Sequence, residues 1–204
     1  MTDKKALIVV DVQNDFLPGG ALGIEGGDRI VPIINEYVRR FRQAGLPVIF
    51  TRDWHPAVTR HFSTQGGLWP PHCVQGTRGA EFSSDLDVPA DAIVVSKGMD
   101  PNEDSYSAFD ARTATGESLE ALLRKLGVTH IYIAGLATDY CVRYSGRDAL
   151  RRGIGITVLV DAVKGVSDED SQRALAELAE AGASRATLSE LPNLARPDGQ
   201  GQRR

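Results

Sequence analysis

Residues 6–11 read ALIVVD, five consecutive apolar side chains closed by a carboxylate. A strand with one solvated face alternates apolar and polar residues; an unbroken apolar run means that both faces are covered, as in a parallel sheet held between helices. The signature recurs as PVIFTRD (47–53), AIVVSK (92–97), HIYIAG (130–135), ITVLVD (156–161) and, more weakly, SRATLS (184–189), which together predict six strands. Between them, residues 28–44, 117–126, 139–152 and 168–181 keep helical spacing, the first with Ile30, Ile33, Ile34, Val38 and Phe41 on one face. Gly45, Gly127, Gly153 and Gly182 follow these stretches, where a glycine closes a helix. Strand alternating with helix predicts an α/β fold: a three-layer α/β/α domain with a six-stranded, mainly parallel sheet and right-handed crossovers. With no internal repeat or linker, residues 1–192 read as a single domain, and the polar, Gly- and Pro-containing residues 193–204 as a disordered tail.

Composition narrows the function classes. At 204 residues, 42% apolar and 25% charged, the chain can bury a full core, which excludes disordered and fibrous classes. Its formal net charge of −4, with both signs interspersed, forms no basic stripe, so no nucleic-acid partner is expected. The apolar runs fall far short of the roughly 20 residues that span a bilayer, and no apolar segment follows the charged start MTDKK. No membrane association is expected, and the cytoplasm is the expected location. Cys73 and Cys141 are the only cysteines, too few for a disulfide framework. The expected partner is a small molecule; a homo-oligomer is compatible with this composition.

Ligands of open parallel sheets sit beyond the carboxyl ends of the strands. Asp11 follows the first predicted strand, Asp53 and His55 the second, Lys97 the third, and Cys141 starts the helix after the fourth. Any one of these is an ordinary turn residue; four strands aiming an acid, a ligand pair, an ammonium and a thiol at one edge are a constellation. Cys141 lies in GLATDYCV (135–142), where Thr138 or Asp139 can cap the helix and the first turn favours a thiolate nucleophile. Cys73, in a loop, reads as structural. Asp53 and His55, two apart in TRDWHP (51–56), leave one face of an extended segment and can share an ion, with His61 and His72 closing the site from the long loop. Imidazole and carboxylate without thiolate suit one divalent ion: zinc, iron or manganese. His130, opening an apolar strand, reads as a framework residue. Residues 53–88 and 98–116 lack periodicity, and loops this long in a compact domain are expected to wall the site.

The chain carries no G-x-G-x-x-G after the first strand, no Walker A sequence, no G-x-S-x-G and no H-E-x-x-H, so dinucleotide oxidoreductases, NTPases, serine hydrolases and zincins lose their markers. A cysteine hydrolase remains.

ALIVVDVQNDFLPGGAL (6–22), TRDWHP (51–56), WPPHCVQGTRGAEF (69–82), SKGMD (96–100), YSAF (106–109) and GLATDYCVRYSGRDALRRG (135–153) stand in an order and spacing that resemble the isochorismatase-like cysteine hydrolases, and among them the nicotinamidase/pyrazinamidase group. The resemblance covers nearly the whole chain. It implies Asp11, Lys97 and Cys141 as a catalytic triad, and Asp53, His55 and His72 as metal ligands. His61 matches an additional ligand in some relatives, whereas many place a histidine two residues earlier. It further implies a cis peptide at Leu136–Ala137 beside an oxyanion hole formed by the N–H groups of Ala137 and Cys141, and a ring pocket lined by Phe16, Trp69, Tyr106 and Leu136. The implied activity is hydrolysis of nicotinamide to nicotinate and ammonia through a cysteine thioester, in NAD salvage, with pyrazinamide also accepted. The competing readings are a cysteine amidohydrolase of the same superfamily acting on a ureido, carbamoyl or maleamic amide, and a non-catalytic pyridine-binding module. The histidine set argues against the first, and the joint presence of acid, ammonium and thiol against the second.

Overall fold

A computed structural model describes residues 4–191 and Leu194. Its sheet has seven strands: β1 (Lys5–Val10), β2 (Val48–Asp53), β3 (Ile93–Lys97), β4 (Arg112–Thr113), β5 (His130–Leu136), β6 (Gly155–Lys164) and β7 (Ser184–Ala186). Their spatial order is β4-β3-β2-β1-β5-β6-β7, with every pairing parallel except β3–β4. Among the described residues the α-helices are α1 (Val31–Gln43), α2 (Leu119–Leu126), α3 (Arg143–Arg151) and α4 (Asp168–Glu180).

The unbroken apolar runs are explained by what covers each face. Leu7, Val9 and Phe50 pack on one side against Ile34, Val38 and Phe41 of α1. Ala6, Ile8, Val10 and Ile133 pack on the other against Leu123 of α2, Ala149 of α3 and Leu178 of α4. Three layers result, as the strand and helix patterns predict. Ser118 caps α2 by accepting the Ala121 N–H at 3.2 Å, and Ser167 caps α4 by accepting that of Asp170 at 3.3 Å. Gly45, Gly127, Gly153 and Gly182 all take positive φ, as residues closing a helix do.

Three sequence expectations need correction. The sheet has seven strands rather than six: β4, inside the aperiodic stretch 98–116, is two residues long and shows no pattern. The helix expected over 139–152 begins with a π-helical turn, Thr138–Val142, and becomes α only at Arg143. The first helix is preceded by a 3₁₀ turn over Gly27–Ile30, so its α-helical part starts at Val31, with proline next in sequence. The tail expected from residue 193 lies outside the described residues apart from Leu194. Among the described residues no helix is long and apolar enough to cross a membrane.

Leu123 is fully buried beneath the sheet, whereas Leu68 is 74% exposed. Leu123→Ala is expected to cost about 2–5 kcal/mol in urea unfolding, and Leu68→Ala within about 0.5 kcal/mol of zero. Equal effects would contradict this packing.

Candidate active site

β1 lies between β2 and β5, so the chain leaves it in one direction for β2 and returns on its other side as β5. A crevice opens where neighbouring strands diverge in this way, beyond their carboxyl ends. Asp11 follows β1 with φ 50°, Asp53 ends β2, Lys97 ends β3, and Cys141 lies in the π-helical turn after β5. Asp53 and Lys97 are register partners, which sets their side chains at one level of the sheet.

Lys97 is the centre of this group. Its Nζ lies 2.9 Å from Asp11 Oδ2, contacts Asp53 Oδ1, and is 3.5 Å from Cys141 Sγ. Asp11 Oδ1 accepts a 2.6 Å hydrogen bond from Thr51 Oγ1. Burial opposes the charge of Lys97, but the carboxylates of Asp11 and Asp53 outweigh it and hold the ammonium well above its usual pKa. Burial raises the Asp11 carboxyl above the ordinary range, opposed by Lys97 and reinforced by the negative charge of Asp53. At Asp53 the penalty of burial is overcome chiefly by the Lys97 ammonium, which lowers its pKa.

Cys141 departs from expectation. The start of a helix was expected to favour the thiolate, but burial, with Asp11 and Asp53 adding to it against Lys97, pushes the thiol well above its usual pKa. The helix start is a π turn that seats the sulfur against a carboxylate, and desolvation of a full charge outweighs a screened dipole. The resting sulfur is therefore a thiol, with a carboxylate oxygen of Asp11 within 4.8 Å of it.

His55, His61 and His72 are all buried, with ligand atoms within 4.8 Å of one another. Each ring's Nδ1 faces an obligate acceptor: Gly98 O at 2.9 Å, Asp104 Oδ1 at 2.7 Å and Pro70 O at 2.8 Å respectively. A carbonyl or carboxylate oxygen can only accept from a ring N–H, so each Nδ1 donates and Nε2 is the nitrogen left to hold a cation. His55 Nε2 is buried without a hydrogen-bond partner, 3.7 Å from Asp53 Oδ2. Burial lowers the His72 pKa to about 4, which keeps that ring neutral. An orphaned imidazole lone pair, two further imidazoles and the adjacent Asp53 carboxylate fit a divalent cation held by Asp53, His55, His72 and His61.

A cavity of about 430 Å³ opens over both groups. Phe16, Trp69 and Tyr106 line it as expected, with Asp53, His61, His72, Ala137 and Cys141. The Leu136–Ala137 peptide is cis, as the resemblance implies. Leu136 itself needs correction as a pocket residue: its side chain is fully buried in the α1-side core and does not line the cavity. At a strand's last position the pleat sends it into the layer below while the next residue, Ala137, reaches the crevice. The aperiodic loops do wall the site, through His61, Trp69, His72, Ser105 and Tyr106. Cys73 is buried outside the cavity lining, its backbone N–H donating to Asp15 Oδ2 at 2.7 Å. His130 opens β5, at the far end of the sheet from the site.

Sequence reading missed Gln13, Tyr140 and Ser145. Gln13 Oε1 accepts the Asp53 N–H at 2.8 Å, while its Nε2 donates to Asp53 O at 2.8 Å and Ala80 O at 2.9 Å, clamping Asp53 at both backbone poles. Tyr140 lines the cavity and meets Trp69 edge-on, with ring centroids 5.2 Å apart. Ser145 Oγ donates to Cys141 O at 2.6 Å and accepts the Ala108 N–H at 2.8 Å, bracing the π turn. A polar residue directly after the VVDV run was the one available signal for Gln13.

Fold and site together define an α/β protein with a buried thiol, carboxylate and ammonium beside a histidine cluster. The chain belongs to the isochorismatase family, whose Isochorismatase domain it matches over residues 5–190. It is 40% identical over 200 residues to the nicotinamidase of Acinetobacter baylyi, covering 88% of this chain and 91% of that protein. The solved pyrazinamidase of Pyrococcus horikoshii in complex with zinc is similar at 46% identity and a TM-score of 0.85, over 91% of this chain and 99% of that one. PnC1 from L. infantum in complex with nicotinate is similar at 35% identity and a TM-score of 0.84, over 94% and 96% of the two chains.

Gly98 holds φ 67°, and a Cβ added there would lie 2.4 Å from His55 Cε1. Gly98→Ala is expected to push the His55 ring aside and weaken any divalent-ion binding at the histidine cluster about tenfold or more, read by chelator competition. Unchanged affinity would separate His55 from the ion.

Proposed function

We propose that this chain is an amidohydrolase converting nicotinamide and water to nicotinate and ammonia through a Cys141 thioester, in NAD salvage, and that it also accepts pyrazinamide. The observation that carries the reading is the thiol, carboxyl and ammonium of Cys141, Asp11 and Lys97 in mutual contact at the base of a cavity walled by Phe16, Trp69 and Tyr106. The likeness to nicotinamidases and to a nicotinate-bound structure supports the choice of amide.

Asp11 takes the proton of Cys141 Sγ as the sulfur attacks the carboxamide carbon, and Lys97 balances the negative charge that passes between them. The C=O electrons move onto oxygen, where the backbone N–H groups of Ala137 and Cys141 stabilise them. Collapse re-forms the carbonyl and breaks the C–N bond, and Asp11 returns its proton to the departing nitrogen, which leaves as ammonia. Water then enters, Asp11 takes its proton, and the oxygen attacks the thioester carbon. Breaking the C–S bond releases nicotinic acid, which ionises to nicotinate, while Asp11 returns its proton to the sulfur and regenerates the thiol. A raised Asp11 pKa suits these transfers, since a group that both accepts and donates works best when it is neither strongly acidic nor strongly basic.

Asp53, His55, His72 and His61 would hold a divalent ion, with zinc favoured by the imidazole set and by the zinc-bound relative. When bound, such an ion supplies a Lewis acid for the pyridine nitrogen, which orients the ring and withdraws charge from it. Phe16 and Trp69 would flank that ring and fix the amide over the sulfur. A nucleophile that must stay reduced suits the cytoplasm.

An ammonia-release assay with nicotinamide, pyrazinamide, N-carbamoylsarcosine and maleamate, before and after chelation, tests the reading. Turnover of the two aromatic amides that falls on chelation and returns with zinc is expected. Turnover of only the non-aromatic amides would replace this substrate class.

A further inference from the structure

The three histidines present their Nε2 atoms in the same way but are anchored differently. His55 and His72 lean on backbone carbonyls, those of Gly98 and Pro70, which no substitution removes. His61 leans on a side chain: its Nδ1–H donates to Asp104 Oδ1 at 2.7 Å, and Asp104 is mostly exposed, with 56% of its side chain accessible. A carboxylate acceptor fixes the ring's tautomer and orientation and makes the opposite nitrogen a better donor to a cation.

Asp104 also sits where the metal group meets the cavity wall. Ser105 and Tyr106 follow it directly and line the cavity, and Tyr106 Oη accepts the Trp69 Nε1–H at 2.9 Å. The same stretch is fastened to the His61 loop upstream, where Pro101 O accepts from Arg60 N at 2.9 Å and Thr59 Oγ1 at 3.2 Å. The 101–106 stretch is thus pinned to the 59–69 loop on both sides of the Asp104–His61 contact.

We propose that Asp104 is a positioning residue: it orients His61 toward the ion and joins the metal group to the wall on which the substrate ring rests. This rests on the metal reading given above.

Zinc affinity, measured by chelator competition on the full chain, tests it with wild type, Asp104→Ala, Asp104→Asn, His61→Ala and the Asp104→Ala/His61→Ala double variant. Asp104→Ala is expected to weaken zinc binding about tenfold or more. Asp104→Asn, whose amide oxygen can still accept from Nδ1–H, should retain more of the affinity. The double variant should bind zinc no more weakly than His61→Ala, because Asp104 acts through that ring. Wild-type affinity in Asp104→Ala, or losses that add in the double variant, would overturn the proposal and leave the metal reading intact. A wild-type chain that binds no zinc would remove both.

Discussion

A fully buried ammonium is tolerable only with opposite charge in contact, and the placement of Lys97 between Asp11 and Asp53 is the constraint on which the rest of the site depends. The sheet satisfies it by geometry. β1, β2 and β3 are consecutive neighbours, about 4.8 Å apart in the hydrogen-bonding direction; Asp53 and Lys97, the last residues of β2 and β3, are register partners, and Asp11 follows Val10, the partner of Thr51. Three charges that are remote in sequence therefore meet without any long loop to bring them together. These groups are buried, so removing Lys97 would leave two carboxylates without an opposite charge in contact, and no shift of one side chain could repair it.

Asp53 links the two halves of the site. One oxygen contacts Lys97 and the other lies toward the unpartnered nitrogen of His55. Gln13 holds its backbone from both sides, so this carboxylate can turn little. Any cation at the histidine cluster would share Asp53 with Lys97, so one carboxylate couples that cluster to the charge around Cys141. Burial, with the carboxylates of Asp11 and Asp53 adding to it, disfavours ionisation of the thiol.

What was legible in the sequence follows from what periodicity can carry. Long runs such as ALIVVD and helices with several apolar turns show themselves, because burial on two faces or on one stripe repeats. Strand ends then place Asp11, Asp53, Lys97 and Cys141 at one edge by topology alone. β4 was not legible, since two residues hold no period, and neither was the π turn before α3, whose hydrogen bonds differ from those of an α-helix by one residue while its apolar pattern does not. The thiol's charge state was misread because a helix start is a local feature and burial is a tertiary one. Leu136 was assigned to the pocket through its peptide bond, although its side chain belongs to the core. Gln13 showed only as a polar residue after an apolar run and Asp104 not at all, because each acts on a partner more than 35 residues away.

The most direct measurement is rapid-quench mass spectrometry of the protein mixed with excess nicotinamide, followed by proteolysis and peptide mapping. A transient adduct with the mass of one nicotinoyl group on the peptide containing Cys141, absent from Cys141→Ala and lost as nicotinate forms, is the expected result. Steady nicotinate production with no adduct at any quench time, or with the adduct on Cys73, would contradict attack by the sulfur that Lys97 and Asp11 surround.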